Sequence, residues 1–336
     1  MAIFGDRSVW LPVAFATLMG LSILIYVVLD GFDPGVSILF PMADAAEKDR
    51  MIASIGPFWD ANETWLVLAV GLLLFAFPEA HGVILSSLYL PVAIMLIGLI
   101  LRGVAFEFRA KADAARKEIW NRLFFIGSLM TALAQGTMLG LYVMGLEATA
   151  LTVSFAALTA LCLTEGYGLI CATWLIGKTD GALQRKAIRL AKCTLVGVVG
   201  GLPAISLASP LVSPRIFEKW FAVPEFLLLA PLPLMSAGLI LVTWIAIRHL
   251  PNRQDRWCWL PFFATTALFA LAFAGLAYSF YPYVVPEKLT IYDAASAPES
   301  LFIILIGTLF VLPAILAYTA LAYTVFRGKA TELRYD

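Results

Sequence analysis

The chain has 336 residues, of which 61% are hydrophobic and only 14% charged, with a mean hydropathy of +0.89. Soluble domains carry nearly twice that share of charge, so an aqueous globular fold is excluded. The 23 basic and 23 acidic residues cancel, which removes any electrostatic case for nucleic acid and shifts attention to where the charges sit.

A spanning helix needs about 20 apolar residues. That window finds nine segments, at roughly 9–29, 57–77, 83–106, 123–146, 150–176, 193–212, 226–248, 258–280 and 301–326. Arg7 precedes the first without a small-residue cleavage site, so this segment is expected to stay in the mature protein. A short turn around Glu147 joins the fourth and fifth into a hairpin. No loop is long enough for a soluble domain, and the expectation is one polytopic all-α membrane domain over 1–336.

Lys and Arg alternate loop by loop. One side carries Lys48 and Arg50, then Arg109, Lys111, Arg116, Lys117 and Arg122, then Lys178, Arg185, Lys186, Arg189 and Lys192. Arg248, Arg253, Arg256, Arg327, Lys329 and Arg334 complete it. The other side has only Arg7, Arg215, Lys219 and Lys288. The positive-inside rule then places the N-terminus outside and the C-terminus in the cytoplasm.

Ionisable residues at membrane depth need a partner or a task. Asp30 and Asp33 close the first segment in Asp30-Gly31-Phe32-Asp33-Pro34-Gly35, where Pro34 and two glycines are expected to break the helix. Asp60, Asn62 and Glu63 open the second, and Arg102 and Glu107 end the third. All three sets fall at the cytoplasmic ends of consecutive helices. Asp60 and Glu63 share a helical face, and Arg102 is the expected partner for them across helices. As single residues these could be caps suited to the helix dipole. As a group, five carboxylates and one Arg point to an inlet for protons or cations.

Glu165 lies mid-way along the fifth segment. It is either a protonated carboxyl packed on a neighbouring helix, or a proton relay or a contact to a partner subunit. Gln135, mid-way along the fourth, reads as a helix–helix hydrogen bond. Trp59 fits the aromatic interface belt as well as it fits a functional role.

Cys162, Cys171, Cys193 and Cys258 show no C-x-x-C spacing and read as small buried hydrophobes. His81 and His249 fall in loops or at a helix end, so conventional axial ligation of a haem by this chain alone is not expected. No phosphate loop, dinucleotide pattern or metal-spaced set appears. Two classes remain on physical grounds, a proton-handling subunit of a respiratory complex and a proton-coupled secondary transporter. The helix break lies at the cytoplasmic end and no repeat is visible, which favours the subunit.

Three motifs carry a more specific resemblance. Asp30-Gly31-Phe32-Asp33, then Pro57-Phe58-Trp59-Asp60-Ala61-Asn62-Glu63-Thr64-Trp65, then Arg102-Gly103-Val104-Ala105-Phe106-Glu107-Phe108-Arg109 resemble subunit II of cytochrome bd-type quinol oxidases in order and spacing. Tyr281-Pro282-Tyr283-Val284-Val285-Pro286 and Asp293-Ala294-Ala295-Ser296 look like that family's last outer loop. The minimal outer loop after the fourth helix is similar to the cyanide-insensitive type.

The resemblance implies nine helices in two four-helix bundles plus one peripheral helix, in a bacterial cytoplasmic (inner) membrane. It implies a larger subunit I that holds b-type and d-type haem and the quinol site, with catalysis there and none in this chain. The complex would oxidise quinol, reduce dioxygen to water and generate proton motive force. Subunit II would support assembly and proton access, and in some members it binds a structural quinone or lines an oxygen tunnel. A small accessory subunit and membrane lipids complete the implied partners. Asp30, Asp33, Asp60 and Glu107 match the family's acidic positions. Trp65 and Arg102 match positions that line a route toward the haem region. Glu63 stands where other members have Gln.

Overall fold

In the computed structural model, residues 6–223, 225–251, 255 and 257–330 are described. Arg253, Arg256 and Arg334 of the charge pattern lie outside them. Among the described residues nine helices are long and apolar enough to cross a membrane. The first crossing is split into α1 (Arg7–Leu29) and α2 (Phe32–Ile38), followed by a 3-10 turn (Phe40–Met42) and a short helix α3 (Ala45–Ile55). The second is α4 (Trp59–Ala76); a short helix α5 (Pro78–Ser87) then leads to α6 (Tyr89–Lys111). The hairpin follows as α7 (Ala114–Val143) and α8 (Ala150–Lys178), then α9 (Gly181–Val212). Short helices α10 (Pro214–Phe221) and α11 (Glu225–Leu229) precede α12 (Pro231–Arg248). The last crossings are α13 (Leu260–Phe280) and α14 (Pro298–Val325), separated by a two-stranded antiparallel hairpin, β1 (Tyr283–Val285) and β2 (Leu289–Thr290).

Several boundaries differ from the hydropathy reading, each for a physical reason. The third crossing starts at Tyr89 rather than near 83, because Pro78 begins a separate short helix that ends at Ser87. The sixth starts at Gly181, well before 193. Its first turns carry Arg185, Lys186, Arg189 and Lys192 and project beyond the apolar layer, where hydropathy cannot see them. Pro34 does not break the first helix. The break falls at Asp30–Gly31, and Pro34 sits in the first turn of α2, where its missing N–H costs no helical bond.

Helices α6 and α7, α7 and α8, and α8 and α9 pack side by side; α4 packs on α1, α12 on α13, and α13 on α8 and α1. This arrangement fits two groups of four, with α14 at the periphery against α1. In lipid no hydrophobic drive separates helix from helix, so close packing and polar contacts must hold them together.

The two ends of the molecule differ in charge. At one end, α3 is strapped to three neighbours by ion pairs: Asp49 with Arg109 (2.6 Å) and Lys117 (3.0 Å), Arg50 with Asp180, and Glu47 with Lys186. Asp44 and Glu47 close a capping box at its start. The tail after α14 joins the same end, where Lys329 pairs with Asp255 and the Lys178 amine donates to the carbonyls of Phe326 and Gly328. At the opposite end, the β1–β2 hairpin folds over a core of Leu11, Phe15, Leu72 and Phe77. There Ser296 donates from its backbone to Ala76 and from its side chain to Phe75.

Candidate functional site

The α1–α2 break puts two acids into the interior beside the basic end. Asp30 is the C-cap of α1 and Asp33 lies in the first turn of α2, and both are buried. Gly31 and Gly35 let α2 come close to α8. A Cβ at Gly35 would lie 2.3 Å from the Tyr167 carbonyl oxygen, and one at Gly31 would lie 2.1 Å from the Val27 carbonyl. Both contacts are far inside van der Waals distance, so no other residue fits without shifting backbone.

Arg102 of α6 reaches this break. Its Nη2 donates to Asp30 Oδ1 at 2.8 Å and its Nη1 approaches Oδ2 at 3.4 Å, a two-pronged pair. The Arg102 side chain is 2% exposed and that of Asp30 3%, so solvent does not screen the pair. Nη2 also donates to Glu63 Oε1, whose side chain is 29% exposed. Asn62, one residue earlier on α4, donates to Asp33 Oδ2 at 3.0 Å and to the Leu29 carbonyl at 2.9 Å. The latter is one of the carbonyls released by the break. Tyr323 of α14 donates to Asn62 Oδ1 at 3.2 Å.

A second polar line runs deeper into the bundle. Tyr167 donates to Gln135 Oε1 (2.7 Å), Gln135 donates to the Tyr26 hydroxyl (2.6 Å), and that hydroxyl lies beside Asp30. Beneath the cluster, toward the basic end, Trp174 stacks on Phe32 at 4.3 Å and meets Phe58 and Phe262 edge-on or tilted. Such aromatic pairs add about 0.5–1.5 kcal/mol each and fix the floor. Among the described residues four buried polar atoms here have no hydrogen-bond partner: Asp33 Oδ1, Arg102 Nε, Trp65 Nε1 and Trp174 Nε1. Buried groups of this kind are ordinarily met by water or by a partner molecule.

The structure thus brings Asp30, Asp33, Glu63 and Arg102 together and places Trp65, 1% exposed, one turn further along α4. It does not bring Asp60 to Arg102. Asp60 is exposed, and Asp30 takes the position expected for it, because the break turns Asp30 inward while Asp60 starts its helix facing outward. Asp60 remains close enough to act on Glu63 through its charge. Glu107 is exposed in the last turns of α6, and among the described residues it forms no ion pair. Glu165 is also exposed, its carboxylate lying over Gly197 of α9, where an added Cβ would be 2.9 Å from Oε2. Among the described residues it forms no ion pair with Arg102. Trp59 is more than a belt residue, since it packs on Phe106 at 4.8 Å.

Asn62, Tyr26, Tyr167 and Tyr323 join the site without having been singled out as ligands of the acids. The interrupted helix in the sequence is the one signal that could have found Asn62, because released carbonyls need donors. Cys171 and Cys258 are buried as expected, whereas Cys193 is exposed on α9.

The histidines do not fit a haem. His249 caps α12 on the surface with Nδ1 held by the Ile245 carbonyl, and His81 lies in short α5, outside the candidate spans. Among the described residues no group of three or more His, Cys, Asp or Glu could hold a metal ion. The donor set suits proton and water chemistry.

Residues 11–326 match the model of the family described as cytochrome bd terminal oxidase subunit II. Cytochrome bd ubiquinol oxidase subunit 2 of Bacillus subtilis is 28% identical, with 90% of this chain and 92% of that protein covered. The cytochrome bd-I ubiquinol oxidase subunit 2 of Escherichia coli K12 is likewise 28% identical, over 94% of both chains. The solved bd oxidase from Geobacillus thermodenitrificans contains a chain with the same fold, at TM-score 0.75 and 19% identity over 94% of this chain and 98% of that one. The chain belongs to the cytochrome bd terminal oxidase subunit II family, multi-pass membrane subunits of a haem-containing quinol-oxidising complex that includes a subunit I.

Proposed function

We propose that this subunit supplies a proton-access route from the cytoplasm toward the haem region of subunit I, while supporting assembly of that region. The carrying observation is a graded set of carboxyl groups on the basic end. Asp60 is exposed, Glu63 one turn on is 29% exposed, and Asp30 and Asp33 beyond it are buried. Two of these carboxyls, Asp30 and Glu63, share the single guanidinium of Arg102, and Asp33 is held by Asn62. With more acid than cation, the cluster is suited to taking up and passing protons, and Arg102 keeps the route from closing on a fixed pair. The Tyr26–Gln135–Tyr167 line and the unsatisfied atoms of Asp33, Arg102 and Trp65 extend the hydrogen-bonding path inward.

Around this core the basic end faces the cytoplasm and the N-terminus the outside, in a bacterial cytoplasmic membrane. In the oxidase, haem b and haem d sit in subunit I, quinol is the electron donor, and the four protons for water come from the cytoplasm. Arg102 and Trp65 border the haem-facing end of the route. Glu107, exposed near the basic end, serves the entrance of the route, and Glu165 lies apart from it against Gly197 of α9. A structural quinone and a small accessory subunit are further proposals that the family resemblance supports.

The test is Asp60→Asn in the assembled oxidase. Oxygen reduction slows while the b- and d-type spectra of the purified complex stay intact, and Asp60→Glu restores the rate. Normal turnover in Asp60→Asn would end the proposal.

A further inference from the structure

We propose that α10 and the β1–β2 hairpin form a binding site for the phosphodiester headgroup of an anionic phospholipid in the leaflet opposite the basic end. Two of the few cations at that end, Arg215 and Lys219, stand one turn apart on the same face of α10. Arg215 Nη1 donates to the Ser279 carbonyl at 3.0 Å, and its guanidinium lies 5.4 Å over the Tyr283 ring. Its Nε and Nη2 are buried without a hydrogen-bond partner among the described residues, as is Ser213 Oγ two residues before. Arg215 Nε lies 3.6 Å from a carboxylate oxygen of Glu287, whose side chain is 58% exposed. Lys219 donates to the Tyr281 carbonyl and lies 4.8 Å over Tyr278.

No carboxylate pairs with Lys219 among the described residues, and Glu218 beside it on α10 is exposed. Burial, reinforced by the like charge of Arg215, lowers the Lys219 ammonium from its ordinary range. Two adjacent cations with open donors and one loose counter-ion are complementary to a phosphate.

The rest of α10 says where that phosphate comes from. Phe217 and Phe221, again one turn apart, are 51% and 52% exposed and stack on each other at 5.0 Å, and Val223 is 79% exposed. Ile216 is buried and Trp220 donates to Ser279 Oγ at 2.7 Å, which fixes the helix onto α13. A helix with cations on one side and bare aromatics on another lies in the interfacial plane, aromatics among acyl chains and cations at headgroup level. A soluble anion would have no use for the aromatic face. The site is remote from Arg102 and stands whether or not the carboxylate cluster carries protons.

The experiment is native mass spectrometry of the purified oxidase complex, stripped of lipid and titrated with phosphatidylglycerol or phosphatidylcholine. Wild type retains phosphatidylglycerol in preference. Arg215→Gln and Lys219→Gln each lower its occupancy roughly fivefold, and the double variant about 30-fold, as expected for one charge each near a headgroup. Lys288→Gln, a cation elsewhere at the same end, leaves occupancy unchanged. Equal retention of the two lipids by wild type would overturn the proposal without any variant, should the double variant fail to assemble. Undiminished phosphatidylglycerol binding in an assembled double variant would overturn it too. So would displacement of the lipid by inorganic phosphate, which would make the site one for a free anion.

Discussion

Replacing Arg102 by Gln in the assembled oxidase strands Asp30, whose side chain is 3% exposed, with no cation in reach. Removing one partner of a buried pair costs about 3–5 kcal/mol, because the remaining charge stays desolvated and unpaired. The Glu63 contact adds little, since a carboxylate that is 29% exposed behaves more like a surface partner. At about 2 °C per kcal/mol for a chain of this length, the midpoint for thermal loss of the complex falls by about 6–10 °C. Asp30→Asn together with Arg102→Gln leaves two neutral groups that can hydrogen-bond to each other. That double variant should recover at least half of the loss, a coupling of about 2 kcal/mol. Both are read as thermal scans of haem absorbance on purified complex, compared at equal heating rate because unfolding of such assemblies is irreversible. An Arg102→Gln midpoint within about 2 °C of wild type would refute the buried pair, as would shifts that simply add in the double variant.

Two further outcomes follow from the packing and the ion pairs. Gly35→Ala forces a Cβ to 2.3 Å from the Tyr167 carbonyl and should abolish assembly of the complex, whereas Gly71→Ala, with nothing within 4 Å, should be silent; co-purification of subunit I reads both, and normal assembly of Gly35→Ala would refute the close contact of α2 with α8. At α3, burial tends to raise the Asp49 carboxyl, but hydrogen bonds and charge from Lys117 and Arg109 prevail and hold it below its ordinary value. Its contribution to docking is therefore complete above the free carboxylate value of about 3.9 and is lost as pH falls through the lower bound-state value. A nitroxide at exposed Ala46 should stay immobile down to about that pH and loosen below it; Asp49→Asn should loosen it already at neutral pH, and an unchanged acid step in that variant would refute the assignment.

The crossings were legible because apolar length is a one-dimensional property, and the alternating Lys and Arg correctly sorted the loops to two ends. The ion pairs of Glu47, Asp49 and Arg50 gather those same loops together. That acids would collect near Arg102 was legible from the cost of charge at that depth. Glu63 was expected to pair with it and does, whereas the pairing with Asp30 in place of Asp60 was not legible. The choice of Asp30 over Asp60 depends on the break falling at Asp30–Gly31; Pro34 and the two glycines marked a break within residues 30–35 but not at which residue, and Pro34 is accepted readily in the first turn of the new helix. That Asn62, Tyr26 and Tyr323 would partner the acids was not legible for a different reason. Neutral polar and aromatic side chains are common in membrane helices as packing groups, and only the geometry of the released carbonyls turns Asn62 into a donor to Leu29.

The peripheral helix is less peripheral than its burial suggests. Only 6% of the α14 window is buried inside the chain, yet the helix is tied at both ends. Ser296, just before it, is bonded to α4, and at its other end the Lys178 amine holds the carbonyls of Phe326 and Gly328. Lys178 lies 5.1 Å over both Phe58 and Trp174, the rings that floor the carboxylate cluster. Between those anchors Tyr323 stacks on Phe58 at 4.4 Å and donates to Asn62, which in turn holds Asp33. A displacement of α14 would therefore reach Asp33 through two hydrogen bonds, without any change in α1 or α6. That couples the last helix, whose outer surface the rest of the chain leaves bare, mechanically to the buried acids through Tyr323 and Asn62.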